Sequence, residues 1–118
     1  MIRKLLVTKI LAAALLVASF TTDSFALSRI RFARGRTSAT VSGTLIGGAS
    51  RSYVLGASRG QTMTVRVTST NGSVWIDIGG NDVGKAETIT LRSTDDYIIT
   101  VHNDGNGSTR YSLYVSIR

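Results

Sequence analysis

His102 is the single histidine of this 118-residue chain, and it stands beside Asn103 and Asp104. A histidine oriented by a carboxylate and touching a serine is the constellation of acyl transfer. No serine here sits in a recognisable nucleophile elbow, so His102 is expected to be an exposed loop residue. Asp95 and Asp96 are adjacent carboxylates. Neighbours on a strand point to opposite faces, so they suit a turn before Tyr97 better than shared acid–base work. The run Asn103-Asp104-Gly105-Asn106-Gly107-Ser108 offers oxygens that could wrap Ca²⁺. It lacks the closing bidentate glutamate of an EF-hand, and such runs are also ordinary turn chemistry. Asp77 and Asp82 form a sparser oxygen set. No catalytic residue, metal or cofactor is assigned, and the chain reads as a non-enzyme.

The cations are more informative. Arg29, Arg31, Arg34 and Arg36 fall within one short stretch, Arg29 and Arg31 share a face, and Lys85 is the only lysine beyond the first 26 residues. Arginine favours planar, bidentate contact with carboxylate or phosphate. For an exported chain the matching anions are lipopolysaccharide, phospholipid headgroups or wall polymers rather than nucleic acid. The same charges would also guard a solvated edge strand. Trp75 stands either as an exposed aromatic for a partner or sugar, or as a ring packed on a neighbouring loop.

Residues 1–26 are expected to be removed. Arg3, Lys4 and Lys9 precede the apolar run Ile10–Phe20, and Ser24-Phe25-Ala26 ends in the small-x-small pattern of a signal-peptidase site. That apolar run is well short of the roughly 20 residues a membrane span needs. Without Arg3, Lys4, Lys9 and Asp23, the 14 basic and 7 acidic residues fall to 11 and 6, a net charge of about +5. Residues 27–118 make one domain. With no cysteine the domain has neither a disulfide nor the lipid attachment point of a lipoprotein, and a soluble periplasmic or secreted protein is expected.

The elements that must hold these side chains are strands. In Gln61–Ser69, Met63, Val65 and Val67 alternate with Thr62, Thr64, Arg66 and Thr68. Similar alternation marks Ser28–Ala33, Thr37–Ile46, Ser52–Ala57, Ser73–Ile78, Glu87–Leu91, Tyr97–Val101 and Tyr111–Ile117, with Gly- and Asn-rich breaks between. Consecutive strands are expected to pair antiparallel, Asn71-Gly72 as a hairpin turn. The fold class is a single eight-stranded antiparallel β-sandwich, jelly-roll-like. Its expected core is Phe32, Val41, Leu45, Tyr53, Leu55, Val65, Val67, Ile76, Ile89, Tyr97, Ile99 and Leu113.

Phe32-x-x-Gly35, Ser38-Ala39-x-x-Ser42-Gly43, Tyr53, Gly60-Gln61-x-x-x-Val65 and the final Tyr111-x-Leu113-x-Val115-x-Ile117 carry a resemblance. At this spacing the chain resembles the periplasmic inhibitors of g-type (goose-type) lysozyme, and more distantly the small β-domains appended to secreted bacterial peptidases. The resemblance implies a plug that enters the lysozyme cleft with loops at one end of the sandwich. Where the inhibitors present a tyrosine after the second strand, this chain has Gly48. Its last loop, His102–Arg110, is shorter than theirs and has Arg110 as its only strong cation. The place carries over as Gly47–Arg51 and Asn103–Arg110, with Arg110, Asn103, Asp104, Asn106, Ser50 and Arg51 as candidate contacts. The alternative is a binding or adhesion module for polysaccharide or anionic surfaces, using Arg29, Arg31 and Trp75. The processing expectation has a direct check: N-terminal sequencing of exported protein should begin at Leu27, and material still beginning at Met1 would contradict it.

Overall fold

The computed structural model describes residues 27–118; the expected signal segment, residues 1–26, lies outside the described residues. Nine strands follow in order: β1 (Ser28–Arg29), β2 (Ser38–Leu45), β3 (Ser50–Ala57), β4 (Thr62–Ser69), β5 (Val74–Ile78), β6 (Asn81–Gly84), β7 (Ala86–Thr90), β8 (Asp95–Asn103) and β9 (Thr109–Ile117). A five-stranded sheet runs β1-β3-β8-β5-β6 and a four-stranded sheet runs β2-β9-β4-β7. They pack as a sandwich, the all-β class expected. No helix among the described residues is long and apolar enough to cross a membrane. The ninth strand is β6, which pairs with β5 where a loop was expected.

The pairing differs from the consecutive order. Strands β2, β4, β7 and β9 lie in one sheet, and β3, β5, β8 in the other, so most connections cross the core. Thus β3 pairs with β8 and β2 with β9, and β5–β6 is a sequential hairpin. Alternation tells a strand which face to bury, but two stacked sheets bury the same kind of face, so it cannot choose between them. Asn71-Gly72 is a corner carrying the chain from β4 to β5. Its Asx chemistry is present, Ser73 N–H donating to Asn71 Oδ1 at 2.9 Å, and Gly72 has φ 71°. The expected first strand shrinks to two residues and pairs parallel with β3.

The period-two pattern becomes the core. Met63, Val65 and Val67 of β4 are 0, 0 and 3 % exposed, among Leu113 and Val115 of the same sheet and Leu55, Ile76 and Ile99 of the other. Burying such a side chain contributes about 1.5–3 kcal/mol. A one-residue slip of β4 would cost three of them, comparable with the whole stability of a small domain. Of the expected core, Phe32, Val41, Ile89 and Tyr97 are only partly buried. Val41 and Ile89 sit on the edge strands β2 and β7, Phe32 lies outside any strand, and Tyr97 lies near the start of β8.

One polar contact joins the sheets through this core. The Tyr53 and Tyr111 hydroxyls, from β3 and β9, lie 2.5 Å apart in a buried hydrogen bond. Gly43, opposite Tyr111 on β2, leaves the room: a Cβ there would lie 2.8 Å from the Tyr111 hydroxyl and 3.0 Å from Arg51 Nη1. Burial, then the Tyr53 hydrogen bond, holds the Tyr111 phenol well above the usual tyrosine range, against a smaller opposing pull from Arg51. The folded chain therefore keeps this proton where the unfolded chain, titrating near 10.0, has released it. Stability is unaffected below about pH 10 and falls as pH rises above it. The urea midpoint should drop as pH rises from about 10 to 12, and the drop should be smaller in Tyr111→Phe. Equal losses in both proteins would contradict this.

Candidate functional site

Two loops meet at one end of the sandwich, residues 46–49 between β2 and β3 and residues 104–108 between β8 and β9. Gly48 N–H donates to Asn103 O at 2.9 Å, and Asn103 N–H donates to Ala49 O at 3.0 Å. A Cβ on Gly47 would fall 2.6 Å from the backbone of Gly105 and Asn106, so glycine lets the loops touch directly. The corner after β4 joins them, since Asp104 N–H donates to Ser73 O at 3.0 Å. The segments Gly47–Arg51 and Asn103–Arg110, expected to form one end, are indeed neighbours.

Asn103 holds this end together, and its expected role as a contact is corrected. It is 1 % exposed. Its Nδ2 donates to Leu45 O at 3.1 Å and Gly107 O at 3.0 Å, and its Oδ1 accepts Gly105 N–H at 2.9 Å. All of the amide is committed inside the protein, so it positions the loops and cannot meet a partner. The sequence pattern showed an Asn/Asp/Gly turn but not which oxygens would face inward.

The other candidates spread over the rim. Asn106 is exposed in the 104–108 loop, and Arg51 is exposed beside Tyr111 at the open edge between β2 and β3. Ser50 lies on the outer face of the five-stranded sheet, opposite His102. Arg110 is exposed on the outer face of the other sheet, in a shallow groove with Ser42, Thr44, Thr68, Thr70 and Ser112. Ile46, at 66 % exposure, is the most exposed of the large apolar side chains among the described residues, and it caps the same end. It was missed, although an apolar residue at an outward position just before Gly47-Gly48 is a readable signal.

His102 is a strand residue, half-buried, and not the exposed loop residue expected. Its ring stacks on Trp75 with centroids 4.2 Å apart and planes 16° apart, and Nε2 lies 2.5 Å from Asp77 Oδ2. Trp75 Nε1–H donates to Asp104 Oδ2 at 2.9 Å. Cross-strand pairing produces the cluster: Trp75 faces His102 in register, a relation invisible until β5 is known to neighbour β8. Ser50 lies opposite His102 on β3, and no hydroxyl among the described residues hydrogen-bonds the ring. Arg29 pairs with Asp96 at 3.2 Å. Asp96 lies six residues before His102 on β8, about 20 Å away along the strand. Arg29 and Trp75 thus share a sheet face without sharing a site, and Arg31 lies beyond β1.

Asn103→Ala leaves Leu45 O, Gly107 O and Gly105 N–H without their partner. An abandoned buried polar group costs about 1–3 kcal/mol. Urea denaturation should therefore show a loss of at least about 2 kcal/mol, whereas Asn106→Ala should change stability by under about 0.5 kcal/mol. Equal effects would refute the assignment of Asn103 as the organiser.

No protein-family model matches the sequence, and no curated protein matches it significantly. Solved structures do. Aeromonas hydrophila PliG, a periplasmic lysozyme inhibitor of g-type lysozyme, superposes with a TM-score of 0.69 at 24 % identity, covering 78 % of this chain and 96 % of that one. Salmonella Typhimurium PliG, also a periplasmic inhibitor of g-type lysozyme, gives 0.61 at 21 % identity, over 76 % and 96 % of the two chains. The pre-peptidase C-terminal domain of a Bacillus anthracis collagenase gives 0.61 at 18 %, over 79 % and 95 %. Both resemblances read from the motifs are thus matched in structure, and what the chain shares with these proteins is the fold.

Proposed function

We propose that this chain is an exported, periplasmic or secreted inhibitor of lysozyme, with the g-type enzyme as its target. It blocks the active-site cleft with one end of the sandwich and performs no chemistry of its own. The observation that carries the reading is the coextensive likeness to two g-type inhibitors, 96 % of each being spanned by the described domain. An end that presents an exposed isoleucine among polar loop residues fits the same role. Ile46 supplies apolar area, Arg51, Asn106 and Arg110 are exposed donors at the same end, and Asn103 stiffens the loops beneath. An apolar anchor ringed by polar groups is the arrangement in which few residues carry most of an interface's binding energy. Loops already ordered before docking also lose less entropy on binding.

Charge works against fast association, because the mature chain is basic and many lysozymes are too. Affinity would come from slow release, not steering. The alternative, a module for polysaccharide or anionic surfaces built on Arg29, Arg31 and Trp75, is weakened because Arg29 is already paired with Asp96 and Trp75 is stacked on His102 with its N–H given to Asp104.

The test is inhibition of goose-type, chicken-type and invertebrate-type lysozymes, each assayed on a soluble oligosaccharide substrate. Inhibition of the goose type is expected. Ile46→Ser and Arg110→Ala should each weaken it about tenfold or more, equivalent to 1.4 kcal/mol, without changing the melting temperature. No inhibition of any type at micromolar protein would overturn the proposal.

A further inference from the structure

The outward faces of the two sheets differ in chemistry. Asp77, Asp82 and Asp96 lie on the outward face of the five-stranded sheet. On the four-stranded sheet, every outward position of β2, β4 and β9 is Ser, Thr, Arg or Tyr, and none is Asp or Glu. Its cations are regularly placed. Arg110 begins the row, Arg66 stands in register with Tyr114, and Arg118 pairs with Thr62 beyond the end of β9. Each step is four residues along β9, about 14 Å at 3.4 Å per residue. The Arg66 guanidinium carbon lies 4.7 Å above the Tyr114 ring, which holds the group against the sheet. Among the described residues, none of these three arginines forms an ion pair with a carboxylate. Shallow grooves flank the row, one lined by Arg110 with Ser42, Thr44 and Thr68, the other by Arg66, Arg118, Thr62 and Thr64.

From this face we infer that the four-stranded sheet binds a linear anionic polysaccharide along β9. Three unpaired arginines in a line match fixed charges on an extended chain, and arginine takes carboxylate or sulfate oxygens two at a time. The Ser and Thr hydroxyls between them act as donors and acceptors for ring hydroxyls. A single-stranded nucleic acid would need open aromatic faces for its bases, and the one ring here, Tyr114, is covered by Arg66. The inference does not rest on lysozyme inhibition, because Arg66 and Arg118 lie about 14 and 27 Å along the sheet from the Arg110 end.

The test is binding of the intact mature domain to polygalacturonate and to heparin, titrated from about 50 to 200 mM NaCl. Binding to at least one polymer is expected, weakening as salt rises. Arg66→Gln with Arg118→Gln should lower affinity at least tenfold and flatten the salt dependence by about one unit of log–log slope per arginine. Arg29→Gln with Arg31→Gln removes the same charge from elsewhere and should change affinity less than threefold. Absence of binding to either polymer would overturn the inference. So would equal losses in the two double variants, which would indicate net charge alone, or tighter binding to oligo-dT, which would indicate a nucleic-acid surface.

Discussion

The loop end of this sandwich depends on one buried amide. Asn103 joins the last residue of β2, the loop before β3 and two points of the 104–108 turn, using donors and acceptor together. Asn103 lies on β8 and Leu45 on β2, in different sheets, so no strand ladder joins them at that end. A hydrophobic residue there would leave three backbone groups unpaired out of reach of water. The Tyr53–Tyr111 bond serves the same purpose one layer deeper, tying β3 to β9 across the core. Gly43 is small because the Tyr111 hydroxyl occupies the space its side chain would fill, and Gly47 because the backbone of Gly105 and Asn106 does.

This polar framework stands in for the staples that many small exported domains use. With no cysteine, the chain cannot hold its loops by disulfides. It orders them by backbone pairing and by hydrogen-bonding side chains instead, which leaves Ile46, Asn106 and Arg51 displayed on a stiff support. The same economy shapes the surfaces. The carboxylates of the five-stranded sheet are engaged with His102, Arg29 or nearby backbone, whereas the arginines of the other sheet face solvent without an acid. A modest net positive charge therefore becomes a directional one.

Much of the fold was legible in the residues. Met63, Val65 and Val67 announced a half-buried strand, and seven of the eight expected strands recur with small changes in their ends, the first being cut to Ser28–Arg29. Pairing was not legible, because period-two alternation is blind to which of two sheets a strand joins. That one gap explains the main site errors. His102 looked like a loop residue because its partners, Trp75 and Asp77, lie more than 20 positions away on a strand whose neighbour was unknown. Asn103 looked like a contact because an Asn/Asp/Gly run reads as a solvated turn, and only the packed loops show its amide turned inward. The adjacency of the two loops came from the family resemblance, and the glycines show why it is possible: Gly47 lies against the backbone of Gly105 and Asn106, and Gly105 against the Asn71 and Asn103 side chains.

The most direct measurement of whether this end is a docking surface is a backbone amide NMR titration of the labelled domain with goose-type lysozyme. The expected shifts centre on Ile46–Arg51 and Asp104–Arg110, with β6, β7 and the Ser58–Gln61 turn at the far end unchanged. Shifts confined to the outer faces of the sheets or to the far end, or none at saturating enzyme, would contradict it.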